Sequence, residues 1–301
     1  MSSILTNNGA MVALQTMKGI NAGLAKTQSE ISTGKAVANA KDNAAVWAIS
    51  KTMESDVASF KGISDSLALG ESTVAVARNA AESVADLLKQ VKVKVVAAQE
   101  SNVDRAKIQT DIDALKKQIT SVVGSAQFNG LNMVNGSAAN PVSIMSSLDR
   151  NAAGNVSASK IDVATVDLRW NDGAATPAAA GGLSALFTLD VRPATAAADH
   201  DGDSTIESGA AEALGVMDAL IKTAVDAASA FGSSEKRITI QKDFVGKLTD
   251  AMKTGIGSLV DADMEEASAR LQALQVQQQL ATQSLSMANQ APQALLSLFR
   301  G

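Results

Sequence analysis

The sequence predicts a mainly α protein. Its core is a long antiparallel helical hairpin or coiled coil formed by the N- and C-terminal segments, with a small β-rich surface domain inserted between them. Three observations predict this. Residues 1–140 and 194–291 contain no proline, and the four prolines fall at Pro141, Pro177, Pro193 and Pro292. Proline costs about 3 kcal/mol inside a helix, so its absence permits very long ones. Apolar residues in both terminal segments recur at spacings of three and four, the heptad pattern of helices that pack along a seam. The middle, about 141–209, instead alternates apolar and polar residues between Gly and Pro punctuation, as strands and turns do.

Taken in order, the first helix carries Ala10, Ala13, Met17, Ile20, Leu24, Thr27 and Ile31 on one stripe. Gly34 is expected to end it, since glycine adopts the left-handed conformation that closes helices. Asp42 is expected to cap the next helix. That helix shows Met53, Asp56, Phe60, Ile63, Leu67, Gly70, Val74, Ala77, Ala81, Val84, Leu88, Val91, Val95 and Ala98, broken only by Asp56 and Gly70. As one element it would be roughly 70 Å long. A short link at 101–104 turns the chain into an antiparallel partner bearing Ile108, Ile112, Leu115, Ile119 and Val122.

Within the insert, 161–163, 166–170 and 187–191 read as strands. Beyond it, Leu214, Met217, Ile221, Ala224, Ala228 and Phe231 begin a helix that continues less regularly through Ile238, Val245 and Met252. The last seam is Met264, Ala267, Leu271, Leu274, Gln278, Ala281, Leu285, Ala288, Pro292, Leu295 and Phe299. Pro292 is expected to kink or restart its helix. Gln278 is a polar residue on an apolar stripe: it either fixes register at some cost in stability or faces a solvated channel.

Composition excludes several functions. A net charge of −5, without a basic stripe, argues against nucleic acid. No run of about 18 apolar residues and no basic amphipathic helix points to a membrane. The opening Met1-Ser2-Ser3-Ile4-Leu5 has no basic, apolar and cleavage regions in succession, so no standard signal peptide is expected. With no Cys and one His, disulfides, thiolate sites and multi-imidazole metal sites are excluded. Asp199, Asp201, Asp203 and Ile206 resemble the start of a calcium loop, yet Ser204 stands sixth and Ala210 twelfth; a solvated turn is the plainer reading. His200 in that same turn supports no Ser-His-Asp triad. The expectation is a non-enzyme without cofactor or metal.

Terminal helices with a continuous apolar seam have little core of their own. Their seam is filled by pairing with each other in a bundle, or by neighbours in an assembly. The candidate assembly seam is Met17, Ile20, Leu24, Ile31, Leu271, Leu274, Gln278, Leu285, Leu295 and Phe299.

Several stretches carry a family resemblance. Ile31-Ser32-Thr33-Gly34-Lys35 followed by Ala40-Lys41-Asp42-Asn43-Ala44-Ala45-Val46-Trp47-Ala48-Ile49-Ser50 resembles the N-terminal signature of bacterial flagellins. Phe128-Asn129-Gly130, Phe231-Gly232-Ser233-Ser234-Glu235-Lys236-Arg237-Ile238, Asp261-Ala262-Asp263-Met264-Glu265 and Ala288-Asn289-Gln290-Ala291-Pro292-Gln293 resemble later motifs in the family's order. Together they cover about 1–140 and 210–301. The Asp42-Asn43-Ala44-Ala45-Val46-Trp47 form and the Leu298-Phe299-Arg300 ending resemble the alphaproteobacterial branch.

The resemblance implies that 1–40 and 257–301 form the inner tube of a flagellar filament. Residues 41–140 and 210–256 would form its outer core, and 141–209 a variable surface insert. It implies a secreted, extracellular protein that polymerises with itself and with paralogous flagellins. The partners implied are the flagellar export apparatus and the cap and junction proteins. The helix around Gln90, Lys92, Val93 and Lys94 resembles the family's innate-receptor region, with Lys92 where Arg is typical and Val93 where Glu is typical; weakened recognition is implied. The alternatives kept open are a hook–filament junction protein sharing these helices, and a calcium-binding secreted module.

Overall fold

The computed structural model describes residues 7–151, 155–169, 182, 183, 189, 191 and 209–298. The elements are α1 (Asn8–Thr33), α2 (Ala44–Ala97), α3 (Arg105–Ser125), β1 (Gln127–Phe128), β2 (Leu131–Asn132), β3 (Val142–Arg150), β4 (Val156–Val163), α4 (Gly209–Val260) and α5 (Met264–Leu298). The chain divides into two units, Met1–Ala58 with Thr249–Gly301, and Ser59–Leu248.

In the first unit α1 opens at Asn7, whose Oδ1 accepts from the Ala10 amide at 3.0 Å. It closes at Gly34 with φ of 69°, the left-handed geometry expected of that glycine. The cap of α2 departs from expectation by one residue. Asn43 Oδ1 accepts from the Val46 amide at 3.2 Å, while Asp42 Oδ2 turns back to the amides of Ala38 and Asn39 at 3.1 and 3.0 Å. Asp42 therefore shapes the loop and Asn43 caps the helix. Asp263 caps α5 by accepting from Glu265 and Glu266 at 2.9 and 3.2 Å, and those glutamates lie at the positive end of the helix dipole. α5 continues through Pro292, so the proline neither ends nor restarts it. A proline removes one backbone donor, and the turns on either side of it in a long helix keep theirs.

The two loops of this unit are laced together. The Val260 carbonyl accepts from Ala36 and Val37 at 2.8 and 3.2 Å, and the Gly34 carbonyl accepts from Ala262 at 2.9 Å. Lys35 and Asp261 form an antiparallel bridge between these bonds.

In the second unit every seam position expected on α2 from Phe60 to Ala98 is buried. Polar pairs fix α4 against it: Glu71 Oε2 with Lys242 Nζ at 2.8 Å, Glu71 Oε1 with Thr239 Oγ1 at 2.9 Å, Arg78 Nε with Glu235 Oε2 at 2.7 Å, and Lys92 Nζ with Asp218 Oδ1 at 2.5 Å. Residue numbers rise on one helix as they fall on the other, so the pair is antiparallel. α3 also returns antiparallel, since Arg105 Nε donates to the Ala98 carbonyl at 2.8 Å and Lys94 Nζ to Asp111 at 2.6 Å.

Three of the expected α3 seam positions and three of the expected α4 seam positions lie one residue from the buried stripe. The buried stripe of α3 is Gln109, Ile112, Lys116, Ile119 and Val123, leaving Ile108, Leu115 and Val122 half-buried. The buried polar groups are satisfied. Gln109 Oε1 accepts from the Val191 amide at 3.0 Å, its Nε2 donates to Asp113 at 2.8 Å, and Lys116 Nζ donates to the Leu189 carbonyl at 2.7 Å; burial is tolerated once those bonds form. On α4 the buried stripe includes Ala213, Leu220 and Ala227 with Met217, Ala224, Phe231, Ile238 and Val245, in place of Leu214, Ile221 and Ala228.

Between the helical segments, Asn129 and Gly130 sit at φ of 49° and 81° as a two-residue turn joining β1 to β2. β3 and β4 form an antiparallel hairpin. Strand structure was expected at 161–163 and reaches back to Val156. β3 was not expected, because a register shift between Met145 and Ser147 breaks its period of two. Residues 166–168 lie against Met133, Val134 and Asn135 through two backbone bonds and one bridge, while Trp170 is outside the described residues. Of the segment expected as a strand at 187–191, Leu189 and Val191 are described. Both are buried and held by the α3 side chains just named.

Gly70 breaks the α2 seam for a reason the hairpin supplies. A Cβ at Gly70 would sit 2.7 Å from two side-chain atoms of Ile144, so the glycine is the notch that admits β3. Gln241 Nε2 donates to the Ser146 carbonyl at 3.0 Å, which the register shift leaves out of the ladder.

Gly70→Ala should destabilise the chain by about 1–3 kcal/mol in denaturant unfolding. Gly62→Ala, with no atom within 4 Å of the new Cβ, should be neutral or stabilising by up to about 1 kcal/mol. The hydrogen bonds from Lys242, then Thr239, hold the Glu71 carboxyl below its ordinary value. Its contribution to stability is therefore complete above the ordinary glutamate pKa of about 4.3, and is lost as pH falls through that value toward the folded one. Glu71→Gln should flatten the acid limb of the unfolding midpoint against pH and lower the midpoint near neutrality.

Candidate assembly interface

The first unit brings the chain's two ends together through α1 and α5. Asn7 Nδ2 donates to the Ala288 carbonyl at 2.7 Å, Gln278 Nε2 donates to Asn21 Oδ1 at 2.8 Å, and Lys35 bridges Asp261. These contacts define one antiparallel register from end to end. Small residues hold the helices close. A Cβ at Gly23 would touch Leu274 at 3.5 Å, and one at Gly9 would meet Ala288 at 3.9 Å. Close approach of this kind follows from glycine and alanine on the contact stripe.

Most of the expected seam meets along this register. Met17, Ile20, Leu24, Ile31, Leu271, Leu274, Gln278 and Leu285 are all half-buried, between the fully buried Thr27 on α1 and Ala267 and Ala281 on α5. The Leu295 side chain and Phe299 lie outside the described residues. Gln278 does not face open space; it is bonded to Asn21 across the pair.

Pattern reading missed the outer flanks. Val12 is 64% exposed and Leu280 57% exposed. Both line a groove of about 730 Å³ along one side of the pair, with Gly9, Ala13, Ile20 and Ala281 among the other walls. Met11, Leu14, Val276 and Met287 are exposed as well. Two helices satisfy one stripe on each, so these side chains are apolar surface that the subunit itself does not cover. The signal was present in the sequence, since Val12, Val276 and Leu280 fall off the heptad stripe that the facing helix fills.

The receptor-region residues occupy the second unit. Gln90, Val93 and Lys94 line a groove of about 550 Å³ with Asp111, Ala114, Leu115 and Gln118. Lys92 points elsewhere, to Asp218 on α4. The calcium-loop candidate at 199–206, with His200, lies outside the described residues. Among the described residues no group of three or more His, Asp or Glu side chains is placed to hold a metal ion. No described helix is long and apolar enough to cross a membrane.

Comparison with known proteins supplies the class of protein to which these paired terminal helices belong. The profile of the bacterial flagellin N-terminal helical region matches residues 4–139, and that of the C-terminal helical region matches 214–299. Flagellin C of Rhizobium meliloti (strain 1021) is 39% identical, covering 100% of both chains. Flagellin FljM of Caulobacter vibrioides is 35% identical over 100% of this chain and 99% of its own. Flagellin A of Rhizobium meliloti is 34% identical over 100% of both. The crystal structure of Bacillus cereus flagellin superposes with a TM-score of 0.40 at 15% identity, covering 61% of this chain and 88% of that one. The chain belongs to the bacterial flagellin family. It is a structural subunit of the extracellular flagellar filament.

Across α1 and α5, a double-mutant cycle of Asn21→Ala and Gln278→Ala should return a coupling energy of about 0.5–1.5 kcal/mol in denaturant unfolding. A coupling near zero would mean that the bond does not hold the register.

Proposed function

We propose that assembly proceeds by coupled folding and binding of the terminal helices. Residues 1–40 and 257–301 line the inner tube, 41–140 and 210–256 build the outer core, and 141–209 form the surface insert. The observation that carries this reading is the exposed apolar flank of the α1–α5 pair. Each large side chain on it gains about 1.5–3 kcal/mol when a neighbouring subunit covers it. Ordering a residue costs about 1–2 kcal/mol of backbone entropy. A free subunit thus gains little from holding its ends rigid, whereas a filament end supplies the missing surface at once. Export through the flagellar apparatus, and contact with the cap and junction proteins, belong to the same reading.

The surface around Gln90, Val93 and Lys94 is the one an innate receptor of flagellins would meet. Lys94 is already paired with Asp111 and Lys92 with Asp218, and neither offers the planar two-pronged donor of an arginine. Recognition is weakened accordingly.

Two measurements test these points. Seeded with short filament fragments, the purified chain should elongate in electron micrographs while its helical circular dichroism rises. Val12→Asp and Leu280→Asp should each stop elongation and leave the unfolding of the second unit unchanged. A fully helical free subunit that never elongates would sink the reading. In a receptor-reporter assay, potency should fall well below that of a flagellin bearing Arg and Glu at positions 92 and 93; full potency would overturn the weakened-recognition proposal.

A further inference from the structure

We propose that Met11 and Met287 are oxidation sites that control assembly: their conversion to methionine sulfoxide by a peroxide or hypohalous acid arrests filament growth. The inference rests on the assembly reading above. The chain has ten Met and no Cys, so thioethers are the softest nucleophiles that such an oxidant meets. With hydrogen peroxide, a sulfur lone pair attacks one peroxide oxygen, the O–O bond breaks and an S–O bond forms. Sulfur is oxidised by two electrons, and the peroxide is reduced to water.

Exposure makes the reaction selective. Met11 is 61% and Met287 66% exposed, ahead of Met264 at 43% and Met145 at 39%, whereas Met133 and Met217 in the second unit are 1% and 0% exposed. The buried pair serves as an internal reference within the same molecule. Position gives the reaction its consequence. Met287 follows Leu280 by one heptad, so it extends the groove wall formed by Gln277, Leu280 and Ser284. It adjoins Ala288, whose carbonyl accepts from Asn7. Met11 lies one turn from Asn7 and shares the other flank of α1 with the exposed Leu14. The two thioethers therefore stand at the same end of the hairpin, on apolar surface that a neighbour is to cover.

A sulfoxide places a strong hydrogen-bond acceptor on that surface. Covering it without a donor is unfavourable, and elongation should weaken about tenfold or more. Once a neighbour has packed over these sulfurs they are shielded, so the vulnerable species is the free subunit.

The test uses the full chain. Free subunits are treated with limiting hydrogen peroxide, sulfoxides are located by mass spectrometry, and seeded elongation is followed by light scattering and electron microscopy. Met11 and Met287 should oxidise before Met133 and Met217, and elongation should fall in step. The double variant Met11→Leu/Met287→Leu should elongate after the same treatment. Methionine sulfoxide reductases acting on the treated wild-type chain should restore growth, a check that stands even if the double variant assembles poorly. Unimpaired elongation of chains oxidised at both sites would overturn the proposal, as would equal inhibition of the double variant or failure of the reductases to restore growth. Untreated chains that do not elongate would instead remove the assembly reading on which it stands.

Discussion

The Val260 carbonyl accepts two amides, from Ala36 and Val37, while the Gly34 carbonyl takes the amide of Ala262. These bonds join the loop after α1 to the loop before α5, and so decide where the two ends of the chain begin to run side by side. Everything along that pair inherits its register from this point, through Gln278 with Asn21 to Asn7 with Ala288. A helix can slide along its neighbour by a heptad with modest loss of apolar contact. Backbone bonds at one end, and amide pairs further along, remove that freedom.

The second unit solves a related problem with different means. Its α2 seam is rich in Ala and Val, residues that fit many registers about equally well. Specificity comes from the borders of the seam, where Glu71, Arg78 and Lys92 each find one partner on α4. Pairs this exposed add little stability one by one. Their placement still penalises slipped alignments, which would leave like charges together. The notch at Gly70 adds a steric marker, since Ile144 enters at that single position.

The interface follows from what two helices cannot do. Each has apolar residues on more than one face, and a partner covers one face. Val12, Leu280 and their neighbours remain as exposed apolar surface, the surface on which the proposed assembly contact rests. The same exposure leaves the sulfurs of Met11 and Met287 at the surface, which is why the proposed assembly flank and the proposed oxidation sites share one end of the hairpin.

The sequence by itself determined the helices, their order and the main seam. Absence of proline and a heptad repeat are local properties, and along α2 the most buried positions are also the apolar ones. It determined the family as well, through motifs whose local roles are now visible: a left-handed stop at Gly34, a cap at Asn43, a hairpin turn at Asn129-Gly130. Tertiary structure alone decided which side of α3 and α4 is inward. On α4, Leu220 and Ile221 are equally apolar, and only the position of α2 chooses between them. On α3, hydrophobicity favours Leu115 over Lys116, yet the lysine is buried because the Leu189 carbonyl, 73 residues away, accepts a hydrogen bond from its Nζ. Such a bond leaves no periodic trace in the chain. The same holds for β3, whose alternation is broken by a register shift that makes sense only beside Gln241.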